Sequence, residues 1–176
     1  MIVAAGFVVW AVASSGSGAN KTATVRLGGP PPPPAQASPI AVRLANAVGR
    51  ANIGRRYRRV DMGRVAPFAW DRVLVFQDES SADINRRLGF DWGGAPASVP
   101  RGAVREALIA FVSGRQVAGS AFFSAAIGHL DCLTAPRGYT RGTPFVVRFT
   151  PHHDAYLATL KPDAGEAACL RAVGAR

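Results

Sequence analysis

Acidic residues are scarce in this chain: 11 Asp or Glu stand against 21 Lys or Arg, for a net charge of +10. The deficit is local. From Asn20 to Arg64 nine basic residues face one acid, Asp61, giving +8, whereas Val65 to Arg176 carries twelve basic and ten acidic residues, giving +2. The excess therefore belongs to an arm and not to the bulk of the chain. Lysine is nearly absent too, since 19 of the 21 basic residues are Arg. In a chain this rich in Ala, Gly and Pro, that is a bias of composition and by itself says little about recognition.

A long hydrophobic run is also lacking. The chain opens on Ile2 to Ala13, twelve residues that are apolar apart from Gly6. As a helix this run would be roughly 18 Å long, well short of the ~30 Å hydrocarbon core, which disfavours a spanning helix. It matches the apolar region of a secretory signal with Ala11-Val12-Ala13 as the cleavage site, although the positively charged segment that usually precedes such a run is missing. No Cys follows it, which excludes a lipid-modified N-terminal cysteine there. No glycine-rich phosphate loop follows a strand, because Gly28-Gly29 and Gly93-Gly94 both fall in linker-like stretches, and there is no internal repeat. Cysteine is limited to Cys132 and Cys169. In an oxidising compartment such an even pair can close a loop, and a disulfide between them is expected; the competing reading is two buried thiols.

What is present divides the chain into a signal-like segment or anchor over 1–13, a Gly/Ser/Pro-rich linker over 14–38, a short helix and basic arm over 39–56, and a single α+β domain over 57–176. Five prolines, Pro30 to Pro34, make the linker a stiff spacer of roughly 15 Å in polyproline II. Ser38 and Pro39 read as an N-cap and first helical residue, with Ile40, Leu44 and Val48 on one face before Gly49. The arm that follows holds Arg50, Arg55, Arg56, Tyr57, Arg58, Arg59 and Arg64. Either it is a basic patch for an anionic surface, or Tyr57 to Met62 is a strand with its arginines solvated.

Around Phe68 to Trp92 the pattern is clearest. Val73 to Phe76 is apolar on both faces, as in a central strand. Ser80 or Ser81 caps a helix in which Asp83 favours the first turn, Ile84 and Leu88 pair, and Gly89 ends the run. Leu108 to Val112 and Val117 to Phe123 flank a tight turn in which Gly114 supplies a positive φ, predicting an antiparallel hairpin. Ser124 to Gly142 reads as irregular, with a helical turn near His129 to Leu133. Thr143 to Thr150 alternates as a half-buried strand, Ala155 to Leu160 is a further strand, and Asp163 with Glu166 opens a terminal helix as a capping box. The sum is α+β: a mostly antiparallel sheet of about five to six strands with two to three short helices packed on one face. The expected structural core is Trp70, Val73, Val75, Phe76, Ile84, Leu88, Trp92, Phe111 and Val147.

At Phe68-Ala-Trp70-Asp71-Arg-Val-Leu-Val-Phe76, Ile84-Asn-Arg-Arg-Leu88-Gly89-Phe-Asp-Trp92, and Ala107-Leu-Ile-Ala-Phe111-Val112 with Arg115-Gln-Val117, the chain resembles a set of small exported bacterial proteins, many of them lipoproteins. They share a Trp-Asp strand, a helix ending Leu-Gly and a Leu-Val-Phe-Val hairpin. The resemblance spans roughly Tyr57 to Leu160 and implies location and architecture, with no activity attached. This chain departs from it in lacking the lipidated Cys and in carrying Gln77-Asp78-Glu79 where many members have a Pro-Tyr-Thr-like turn.

Candidate chemistry is thin. His152-His153-Asp154 clusters metal-ligand types and His129 and Asp131 would have to join it, but the spacing matches no established site and a polar turn accounts for it. Cys132 beside Asp131 and near His129 is a nucleophile only if it is unpaired. Trp70 and Trp92 are most simply core, with an aromatic groove the sharper reading. Asp78 and Glu79 read as an exposed turn. No residue is assigned a catalytic or metal role, and no cofactor is implied. The expected function is that of an exported, envelope-associated binding domain that is not an enzyme. One alternative is an exported hydrolase or metal-dependent enzyme using the His129 to Cys132 and His152 to Asp154 loops. A second is an anion-binding adaptor through Arg50 to Arg64, its partner an envelope protein or an anionic surface rather than nucleic acid, since no nucleic-acid module accompanies the arm.

Overall fold

A computed structural model describes residues 38–53, 59–99 and 106–176. The signal-like segment, the proline run, and Arg55, Arg56, Tyr57 and Arg58 lie outside the described residues. The described chain runs α1 (Pro39–Ile53), β1 (Arg59–Val60), α2 (Met62–Val65), β2 (Arg72–Phe76), α3 (Ser81–Leu88), β3 (Glu106–Ser113), β4 (Gln116–Ser124), β5 (Tyr139–Thr140), β6 (Phe145–Phe149), β7 (Ala155–Thr159) and α4 (Ala164–Ala172). The fold is α+β, and every strand pairing is antiparallel.

β2 is central, as its two apolar faces require. It lies between β3 and β5 in a four-stranded sheet of order β4-β3-β2-β5. One face of this sheet (Leu74, Phe76, Leu108, Ala110, Val112) buries Ile84 and Leu88 of α3 and Val99. Its opposite face (Val73, Val75, Ile109, Phe111, Phe123) shares a core with Phe145, Val147 and Leu157 of a three-stranded sheet, β1-β6-β7. Seven strands thus form two sheets where the sequence suggests one of five to six. The helices are not gathered on one face either. α3 covers the outside of the larger sheet, α4 covers the outside of the smaller through Leu170, and α1 enters the shared core through Ile40, Leu44, Val48 and Ala51. That outer cover explains why β6 is not the half-buried strand its alternation suggests. Val146, on the face that periodicity assigns to solvent, is 1% exposed because it packs with Cys132 and Leu170.

Local signals decide most boundaries. Ser80 caps α3 by accepting the Asp83 N–H, and Gly89 closes it in the left-handed region. Asp83, hydrogen-bonded by Ser80 and then Arg86, has its carboxyl held below the usual carboxylate range. In the β3–β4 hairpin Gly114 carries φ +57° and Arg115 does not follow it there, the pattern of a two-residue turn with glycine first. Asp71 reaches across to this turn, its Oδ2 accepting the Gly114 N–H at 2.6 Å. The aspartate of the Trp-Asp pair therefore anchors a hairpin tip 43 residues away in sequence.

Other signals are overridden. α1 continues through Gly49 to Ile53. A mid-helix glycine costs about 1 kcal/mol, and Ala51 beyond it, fully buried in the shared core, favours continuation. Ser38 does not spend its hydroxyl on the helix start but donates it to the Ser120 carbonyl of β4. Of the strand expected over Tyr57 to Met62, Arg59–Val60 is strand among the described residues, and it stops short of Met62 because Asp61 caps α2 through the Gly63 N–H and Met62 begins that helix. Asp163 caps α4 by accepting the Glu166 N–H at 2.8 Å, but the Glu166 carboxylate does not return to the helix start. Glu166 is 1% exposed, and its carboxylate accepts from both the backbone N–H and the hydroxyl of Thr159, tying α4 to the end of β7. The region read as irregular contains the short strand β5, held against β2.

Tyr139 of β5 is buried with its edge on Phe145 and its hydroxyl oxygen accepting the Ala135 N–H. Burial disfavours the phenolate and pushes its pKa up to about 12, against the smaller opposing pull of the Ala135 hydrogen bond. A phenol that keeps its proton longer when folded than the ordinary value near ~10 contributes its full stability below pH ~10. That contribution fades as pH climbs toward 12. A spectrophotometric titration of the folded chain should show a late phenol ionisation that Tyr139→Phe removes. A titration curve that Tyr139→Phe leaves unchanged at high pH would show that Tyr139 is solvated.

Candidate anion-binding cleft

Four of the nine basic residues of the arm, Arg43, Arg50, Arg59 and Arg64, gather on and beside α1. Ile40, Leu44, Val48 and Ala51 turn one face of this helix inward, and that leaves Arg43, Asn46 and Arg50, three and seven residues apart, exposed along a neighbouring stripe. Beside the stripe run β1 and α2, which bring Arg59 and Arg64. Arg43, Asn46, Ala47, Arg50, Arg59, Val60, Asp61, Arg64 and Val65 together line a cleft of about 490 Å³. Val60 and Val65 form an apolar floor that belongs to the core below.

The electrostatics of the cleft are one-sided. Four guanidinium groups face one carboxylate, and that carboxylate is engaged: Asp61 accepts the Gly63 N–H at 2.9 Å and pairs with Arg64 at 3.5 Å. Among the described residues, no ion pair or side-chain hydrogen bond engages Arg43, Arg50 or Arg59. Several arginines elsewhere are engaged by the fold. Arg87, equally basic, is consumed by the fold: it pairs with Glu79, donates to the Val75 carbonyl and lies 4.8 Å from the centre of the Phe76 ring. Arg72 donates to the Leu88 carbonyl, and Arg141 lies over the Trp70 ring. Arginines without a fold partner, gathered in a concavity, can hold planar or tetrahedral oxyanions by paired N–H donors.

The other sequence candidates fall into place as structure. Cys132 and Cys169 form a disulfide with Cα atoms 5.4 Å apart, so Cys132 offers no thiolate. His129 is half-buried, stacked on Tyr156 at 4.5 Å, with Nδ1 3.6 Å from Asp131 Oδ2 and no hydrogen bond at that nitrogen. His152, His153 and Asp154 are exposed in the β6–β7 turn, and Asp154 closes that turn on Thr150. Among the described residues no group of three His, Cys, Asp or Glu is placed to hold a metal ion. Glu79 corrects the reading of an exposed acidic turn: its side chain is 20% exposed and is bound to Arg87. Asp78 beside it is exposed, at φ +53°.

Of the expected core, Trp70, Val73, Val75, Phe76, Ile84, Leu88, Phe111 and Val147 are buried. Trp70 precedes the central strand rather than starting it. Trp92 is only half-buried at the rim of the α3 cluster, because it lies in the loop after the helix, its backbone N–H bound to the Asn85 side chain. Trp70 and Trp92 belong to different clusters on opposite sides of the larger sheet, and no aromatic groove joins them. Sequence reasoning missed Arg43 and Asn46. Their spacing to Arg50 was the available signal, masked by treating the helix and the arm as separate segments. Comparison with known protein families, with curated proteins and with solved structures finds no match for this chain.

Proposed function

We propose that this chain is a non-enzymatic binding domain working outside the cytoplasm, and that its partner is anionic. The observation that carries this reading is the cleft, which gathers four arginines from three elements in one concavity, three of them without a side-chain partner among the described residues. Maintaining several unpaired like charges in one concavity costs folding energy through mutual repulsion, a cost that an anionic ligand removes. The compartment is supported by the disulfide, which persists where the surroundings are oxidising, together with the signal-like apolar run ahead of it. Among the described residues no helix is long and apolar enough to cross a membrane, which is compatible with that location.

The test is retention of the full chain on phosphatidylglycerol vesicles against neutral phosphatidylcholine vesicles at low and physiological salt. Anion-dependent retention that weakens as salt rises is expected. Equal retention on both surfaces, or none on either together with no binding of inorganic triphosphate, would contradict an anionic partner.

A further inference from the structure

The arginines of the cleft come from three separate elements and converge on a concavity, not on a flat face. We propose that this cleft is a site for a compact ligand carrying two or more phosphate groups, an inference that rests on the anion-binding reading above. Its volume of about 490 Å³ falls within the roughly 300–1,000 Å³ of small-molecule sites, whereas an extended polyanion needs a long track. Donor count points to phosphate. Each guanidinium offers up to five N–H donors in a rigid fork, and only Arg64 has a protein carboxylate to satisfy part of its set. A single carboxylate cannot occupy so many donors from α1, β1 and α2 at once. A terminal phosphate presents three acceptor oxygens, so two or three linked groups match the supply.

The neutral lining adds a second criterion. Asn46 offers both an amide donor and an acceptor, and Ala47, Val60 and Val65 give an apolar floor, so the ligand body between its phosphates is uncharged. Asp61 is the one acid in the cleft. It is held by the Gly63 N–H and Arg64, and it sets a limit on how much negative charge the α2 side tolerates. Two sources supply this chemistry: a free polyphosphorylated molecule, and a lipid headgroup carrying two or more phosphates.

Isothermal titration of the full chain with inorganic triphosphate, with citrate as a carboxylate of comparable charge, tests the class. Arg43→Ala and Arg50→Ala replace exposed side chains with no fold partner, so both variants should melt with the parent. The expected result is one triphosphate per chain, citrate at least about tenfold weaker, and about tenfold loss in each variant, the usual scale for a charge-assisted contact. Citrate binding as well as triphosphate, or variants that bind unchanged, would overturn the site. Retention on phosphatidylglycerol vesicles without triphosphate binding would overturn the compact ligand and leave the anion-binding reading standing. Failure of both would overturn both. Retention on cardiolipin vesicles, whose headgroup carries two phosphates, that triphosphate displaces supports the site with a lipid headgroup as source, and triphosphate binding without cardiolipin retention supports it with a free ligand.

Discussion

Replacing Trp70 by alanine is expected to destabilise the fold by about 3–5 kcal/mol, the range for deleting a fully packed large aromatic. Trp70 is 3% exposed. Its indole N–H donates to the Ala66 carbonyl at 3.0 Å, which closes the turn after α2, and its ring meets Phe111 edge-on at 5.2 Å. Truncation would leave a cavity beside Phe111, strip the Ala66 carbonyl of its donor, and remove the surface on which Arg141 rests. Trp70→Phe keeps most of the volume and loses the hydrogen bond, so it should cost much less. Urea unfolding of the three proteins gives the ranking. A loss below about 1 kcal/mol for alanine, combined with lost ligand binding, would place Trp70 on a functional surface instead.

The second large effect belongs to the disulfide. Cys132 lies in the loop between β4 and β5, and Cys169 lies on α4, 37 residues later. Opening that loop in the unfolded chain removes roughly 3–4 kcal/mol on the chain-entropy account. The bond also fastens α4 to the outer face of the small sheet, where Cys132, Val146, Tyr156, Ala158 and Leu170 form a cluster of only modest size. Cys132→Ala with Cys169→Ala should therefore lower the unfolding midpoint in oxidising buffer, and reduction of the parent should bring the two curves together. Thiol labelling without denaturant should find no reactive cysteine in the parent; two labelled thiols would show that the staple does not form.

How far the sequence reads depends on whether a feature is local. The β2–α3 unit could be read because its cap, its apolar pair and its terminal glycine act within a few residues of one another. The β3–β4 hairpin could be read for the same reason. The division into two sheets could not. Periodicity says which side of a strand is apolar and not what covers it, so Val146 looked solvent-facing until α4 was placed over it. Glu166 shows the same limit. Its position three residues after Asp163 fits a capping box, but the end of β7 lies close enough to take the carboxylate, and a buried acid follows Thr159 rather than its own helix start. At the cleft, charge composition located the basic segment. Which arginines share one concavity depended on α1 running through Gly49 and packing alongside β1, a tertiary outcome.

One pair of charge-matched variants tests the account most directly. In the first, Arg43, Arg50, Arg59 and Arg64 are replaced by glutamine; in the second, the exposed Arg115, Arg137, Lys161 and Arg171 are replaced in the same way, so both chains lose the same formal charge. Retention on phosphatidylglycerol vesicles at physiological salt is measured for both beside the parent. The account predicts that the first variant is no longer retained while the second behaves as the parent does. Equal loss in both would show that net charge alone drives association and that the cleft is not a binding site.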